Sequence, residues 1–267
     1  MHMESIFILK LILSFIIGSV WVTLTTIAAE KYGSKIGGVI AGLPSTILVS
    51  LFFIGWTQST QAVVEATTLV PLIGGVICLF LVAYLFLAPK INFWLSLLGA
   101  TFIWFIFSLG VYFTSFRNFG LSFVIYLVLA LVSFIIVERY LNISSIKNKK
   151  VKYTFSMIIF RGLIAGTIIS IAVLLAKLSG PVLGGVFSMF PAGFISTILV
   201  IHFQHGKEFS FPIMKVTILS GISVVSFGLF ARYTYVPLGL WYGTLVSLLL
   251  ACIVGYLMHL IVKEKMK

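Results

Sequence analysis

Residues 33–44 read Gly33-Ser34-Lys35-Ile36-Gly37-Gly38-Val39-Ile40-Ala41-Gly42-Leu43-Pro44, and residues 180–191 read Gly180-Pro181-Val182-Leu183-Gly184-Gly185-Val186-Phe187-Ser188-Met189-Phe190-Pro191. Gly33, Gly37, Gly38, Val39 and Pro44 recur as Gly180, Gly184, Gly185, Val186 and Pro191, at one offset of 147 residues. After each proline the run Ser-Thr-Ile-Leu-Val follows, at Ser45–Val49 and at Ser196–Val200, offset by 151. The extra four residues are close to one helical turn, so the same face is kept. Together these matches point to an internal duplication.

Working outward, apolar runs broken by polar or charged turns give nine expected membrane spans. They cover about 6–28, 36–56, 68–88, 92–114, 119–137, 154–176, 182–203, 213–231 and 236–262. Short loops are expected at 57–67, 89–91, 115–118, 177–181 and 232–235. The chain has 267 residues, 61% hydrophobic and only 9% charged, with a mean hydropathy of +1.21. A soluble domain carries about 25% charged residues, so a water-soluble globule is excluded. The expected fold class is an all-α polytopic membrane protein, since only helices or closed barrels satisfy their backbone in lipid.

The spans divide into two sets of four around the fifth. The expected units are a first repeat over 1–115, a linker helix with a basic loop over 116–153, and a second repeat over 154–267. Five spans separate the start of one repeat from the start of the next. The second therefore enters the membrane from the opposite side, the inverted arrangement found in many transporters. Lys and Arg set the orientation. With the 138–153 loop cytoplasmic, 13 of the 18 basic residues fall inside and four outside, with Arg161 left within a span. This predicts an N-terminus outside, a C-terminus inside, and a prokaryotic plasma membrane as the location. No cleavable signal peptide is expected, because the first apolar run is long enough to span.

The net charge of +12 sits mostly in loops and tails, where it sets topology, so nucleic acid is not an expected partner. The expected partners are the bilayer and a small solute or ion; the oligomeric state is not specified. All six acidic residues are Glu, which excludes paired-aspartate catalysis and Asp-held magnesium. No catalytic residue, cofactor or metal site is expected. His202, His205 and Glu208 share the spacing of a metal set, but without a completing ligand they read as an interfacial polar face. Cys78 and Cys252 read as small core residues. Trp56, Trp94 and Trp241 read as interface anchors.

The prolines carry the functional reading. Pro44 and Pro191 cannot donate to the carbonyls four residues back, so spans 2 and 7 are expected to break near the midplane. The freed groups need protein, water or a ligand. The candidate substrate-binding residues are Gly37, Gly38, Pro44, Ser45, Thr46, Gly184, Gly185, Pro191, Ser196 and Thr197. Arg161 joins them as a charge well inside a span; its alternative is snorkelling to the headgroups. The glycines read alternatively as helix-packing positions.

Glu30-Lys-Tyr-Gly-Ser-Lys-Ile-Gly37-Gly38-Val-Ile-Ala-Gly-Leu-Pro44, with Ser50 beyond it, resembles the signature of the GlpM-like group of small uncharacterised bacterial membrane proteins. The second half resembles it too, with Phe190 for Leu and Lys177 where Glu30 stands. The resemblance implies a duplicated, fused version of a four-helix protein and names no substrate. The expected function is a secondary transporter or exporter of a small solute, anionic if Arg161 faces the interior. A channel along the same axis and a membrane scaffold are the alternatives.

Overall fold

The computed structural model describes residues 2–31, 44–114, 116–141 and 154–265. Among them the chain is helical throughout, without strands. The helices are α1 (His2–Lys31), α2 (Ser45–Thr57), α3 (Thr60–Ala66), α4 (Val70–Leu87), α5 (Phe93–Phe113), α6 (Phe119–Ile135), α7 (Phe155–Ser179), α8 (Pro181–Ser188), α9 (Ala192–His205), α10 (Ser210–Ser220) and α11 (Ile222–Lys265). Among the described residues seven stretches are long and apolar enough to cross a membrane, and the chain is a polytopic membrane protein.

Local chemistry starts the helices where the sequence offers a cap. Ser59, Asn92, Asn118 and Thr154 each accept a hydrogen bond from a first-turn amide, opening α3, α5, α6 and α7. This satisfies donors that a helix end otherwise leaves unmade. Ser59 also explains one departure from expectation. The stretch 57–67 looked like a loop because of its Gln, Ser and Glu residues. Capped by Ser59, it forms α3 from Thr60 and buries Ala62, Val63 and Ala66.

A second departure lies near the C-terminus. The expected loop at 232–235 is helical, and the chain reverses instead at Gly239, whose φ of 72° suits glycine. Arg232 keeps the helix going through that stretch. Its Nη1 donates to the Val64 carbonyl at 2.6 Å, and its guanidinium lies 4.8 Å over the Phe119 ring. The two limbs of α11 then pack antiparallel. Thr234 and Ser247 share a 2.7 Å hydroxyl contact, and Ser223 Oγ donates to the Ala251 carbonyl at 3.3 Å.

The most extensive helix crossing joins α1 to α7. A Cβ at Gly166 would lie 2.6 Å from the Phe15 carbonyl, and one at Gly162 would lie 2.7 Å from the Ser19 carbonyl. Ser14 Oγ meets Ser170 Oγ at 3.4 Å. Partner numbers fall along α7 as they rise along α1, so the two helices run antiparallel. Small residues bring backbones close enough for dispersion to hold helices together in lipid, where burial alone drives nothing. Outward, α1, α5 and α6 present rows such as Ile8-Ile12-Ile16, Leu98-Phe102 and Val124-Val128-Leu131, all exposed. These rows form the lipid-facing surface.

The core is aromatic: Trp104, Tyr84, Tyr126, Tyr235, Phe53 and Phe80 are fully buried. Of the expected interface anchors, Trp94 and Trp241 are exposed. Trp56 packs on Phe52 and Phe53 and accepts a 2.6 Å bond from Lys10 through its carbonyl.

Candidate substrate site at the proline breaks

The expected break at Pro191 is present. α8 ends at Ser188, and α9 begins at Ala192. The Phe187 carbonyl, which proline cannot serve, accepts from Phe190 N at 3.0 Å instead. Pro191 holds φ −75° and ψ 37°, and its carbonyl receives Ile195 N at 2.9 Å. Pro44 opens α2 in the same way, with φ −74°, ψ 53° and a 2.9 Å bond from Leu48 N. Neither cap uses a side chain. Gly37 and Gly38 lie outside the described residues.

Three candidate residues meet at the start of α9. Arg161, half-buried on α7, donates from Nη1 to Thr197 Oγ1 at 2.6 Å. Thr197 Oγ1 donates in turn to the Gly193 carbonyl at 2.7 Å, and Ser196, fully buried, reaches the same carbonyl at 3.0 Å. Arg161 thus makes an interhelical contact one to two turns beyond the break. A cation beside a helix start makes a place for negative charge, because the amide ends of the helix already carry partial positive charge.

Ser45 and Thr46 occupy the first turn of α2, half-buried. α2 packs against α7, as does α9. The helix bearing Arg161 is therefore the shared neighbour of both proline-led helices. Ser50 sits one turn beyond Thr46 on the same face. It is fully buried, and its hydroxyl has no hydrogen-bond partner among the described residues.

Gly184 and Gly185 occupy helix contacts. A Cβ at Gly184 would lie 2.7 Å from the Ala172 carbonyl of α7, and one at Gly185 would run into the Ala66 backbone of α3. These glycines set the spacing of α8 against its neighbours. His202 stacks on Phe93 with ring centroids 3.6 Å apart, and His205 packs on Phe209. With Gly206, Lys207 and Glu208 they line an open pocket of about 410 Å³. Among the described residues no three His, Cys, Asp or Glu side chains gather to hold a metal ion.

Several polar residues escaped the sequence reading. Lys215 of α10, 5% exposed, pairs with Glu138 in the π-helical turn after α6. Arg139 is the basic neighbour of Glu138 in sequence, and only the fold brings Lys215 of α10 to it. On α5, Trp104 and Ser108 lie one turn apart, both fully buried. The Trp104 ring stands edge-on to Phe190, the residue before Pro191, at 5.1 Å.

Residues 11–117 match the model of a family described as a protein of unknown function, DUF3147. The match runs from within α1 to the turn between α5 and α6, the first of the two expected halves. No curated protein and no solved structure matches the chain.

Proposed function

We propose that the chain is a secondary transporter that carries a small anionic solute by alternating access between two inverted four-helix halves, 1–115 and 154–267, joined by α6. The observation that carries this reading is the Arg161–Thr197 hydrogen bond at the start of the half-helix after Pro191. An intramembrane arginine is costly, so one held beside a broken helix marks a substrate path by default.

The matched conformations of Pro44 and Pro191 support a duplicated origin, as does the repeated glycine pair. The antiparallel crossing of α1 and α7 supports inversion, because each opens one half. The GlpM-like signature and the family match over 11–117 support reading the first half as a unit. Nine crossings follow if the 52-residue stretch Lys207–Met258 counts as two, divided at Gly239, and if α2 belongs to a crossing of its own. The bias of basic residues favours an N-terminus outside and a cytoplasmic C-terminus.

The experiment is uptake by proteoliposomes of inorganic phosphate, chloride and benzoate, each with and without the same anion on the far side. The reading expects saturable uptake of at least one anion, accelerated by that anion inside, and lost in Arg161→Ala. Non-saturable flux that follows only the voltage identifies a channel. Equal flux in Arg161→Ala contradicts the anion site.

A further inference from the structure

The break at Pro191 has two flanks, and Arg161 occupies only one. On the other stands α5, where Trp104 lies edge-on to Phe190 at 5.1 Å and to Phe187 at 6.2 Å, at 83° and 84°. Phe105 packs on the same two rings, at 5.7 Å from Phe190 and 6.3 Å from Phe187. Ser108 follows one turn along the same face of α5. Both Trp104 and Ser108 are fully buried, and neither the indole Nε1–H nor the Ser108 hydroxyl has a hydrogen-bond partner among the described residues. Buried donors are almost always paired, because leaving one unmade costs its full desolvation. Two on one helix face, beside a break, call for a common acceptor.

We propose that Trp104 and Ser108 bind an acceptor oxygen of the transported solute, and that this solute is a small carboxylate with an apolar body. The inference rests on the transport site proposed above. Arg161 balances the charge from the α9 flank. Phe105, Phe187 and Phe190 cover the hydrocarbon part, which a hydrated inorganic anion does not have. Phe190 and Gly193 are three residues apart, at most about 11 Å along the chain. Trp104 thus meets the chain just before Pro191, and Arg161 meets it within two turns after. Neutral donors on an apolar wall favour a partly dehydrated ligand, since hydrogen bonds gain strength where the dielectric is low.

The test uses the full chain in lipid nanodiscs, with 5-fluorotryptophan at its five Trp positions and Trp104→Phe to assign the Trp104 fluorine resonance. Benzoate and inorganic phosphate are titrated separately. The expected result is a saturable movement of the Trp104 resonance with benzoate and none with phosphate. Ser108→Ala should raise the half-saturating concentration at least tenfold, with an unchanged melting temperature. A Trp104 resonance that benzoate leaves in place overturns the inference, since the indole N–H is then simply directed at the Phe190 ring. Equal movement with phosphate, or an unchanged half-saturation in Ser108→Ala, overturns it as well. Uptake that depends on Arg161 alongside a stationary Trp104 resonance removes this inference and leaves the transport reading. No uptake of any probe together with a stationary resonance removes both.

Discussion

The two proline-led helices, α2 and α9, share a backbone and differ in chemistry. Each begins at a proline with φ near −75° and a small positive ψ, and each takes the proline carbonyl as its first acceptor. Beyond that start, α9 has an arginine from α7 seated on Thr197, whereas α2 buries Ser50 without a partner among the described residues. Counting from the prolines, Ser50 and Thr197 hold the same place, six residues on. The difference teaches that the proline-led start is a matter of backbone, while the arginine contact depends on which helix packs alongside.

The comparison breaks first at its scaffold. Gly185→Ala places a methyl group against the Ala66 backbone, which cannot swing aside. We expect a loss of about 3 kcal/mol or more in stability. Gly193→Ala, whose Cβ would sit 3.9 Å from Arg161 Nη2, should stay within about 1 kcal/mol of the parent. Thermal unfolding in detergent checks both; similar values for the two would remove the packing role given to α8.

The comparison sharpens at its charge. Arg161→Ala should lower anion uptake at least a hundredfold, about 2.7 kcal/mol, while Thr46→Ala should lower it less than tenfold. Equal losses would show that both halves contribute alike and that the asymmetry between α2 and α9 has no functional weight.

A smaller effect concerns the turn after α6. Glu138→Gln removes the carboxylate that pairs with the buried Lys215, and we expect a cost of about 1–3 kcal/mol, discounted because Glu138 is half-exposed. Lys215→Met should cost less, since it removes the buried charge itself. The reverse order in unfolding measurements would mean that the pair is not what anchors α10 to the turn after α6.

The smallest effect is at Ser50. Ser50→Ala removes an unpaired buried hydroxyl, so stability should hold or rise by about 1 kcal/mol. A fall of that size would reveal a partner for the hydroxyl and close the gap between α2 and α9.

The lipid-crossing character was legible because composition alone excludes a soluble core, and the caps at Asn92, Asn118 and Thr154 sit where span starts were expected. The break at Pro191 was legible because proline chemistry is local. What escaped was set by tertiary contact. Arg232 marked a loop in the sequence, yet it extends a helix because α3 and Phe119 receive it. Gly162 and Gly166 carry the spacing of a close crossing, but nothing local says that α1 is what crosses them. Glu138 finds its lysine 77 residues away. Trp104 and Ser108 read as ordinary members of an apolar run, and only their burial beside Phe190 makes their donors conspicuous.

Alternating access about the two breaks is tested most directly by cysteines at Thr46 and Thr197, in a background without Cys78 and Cys252, reacted with a membrane-impermeant thiol reagent from each side of sealed vesicles. The account predicts that both positions react from the same side in one state. When a transported anion is supplied to shift the equilibrium, both should lose that access and gain it from the other side. Simultaneous reaction from both sides, or reaction of one position only, would contradict it.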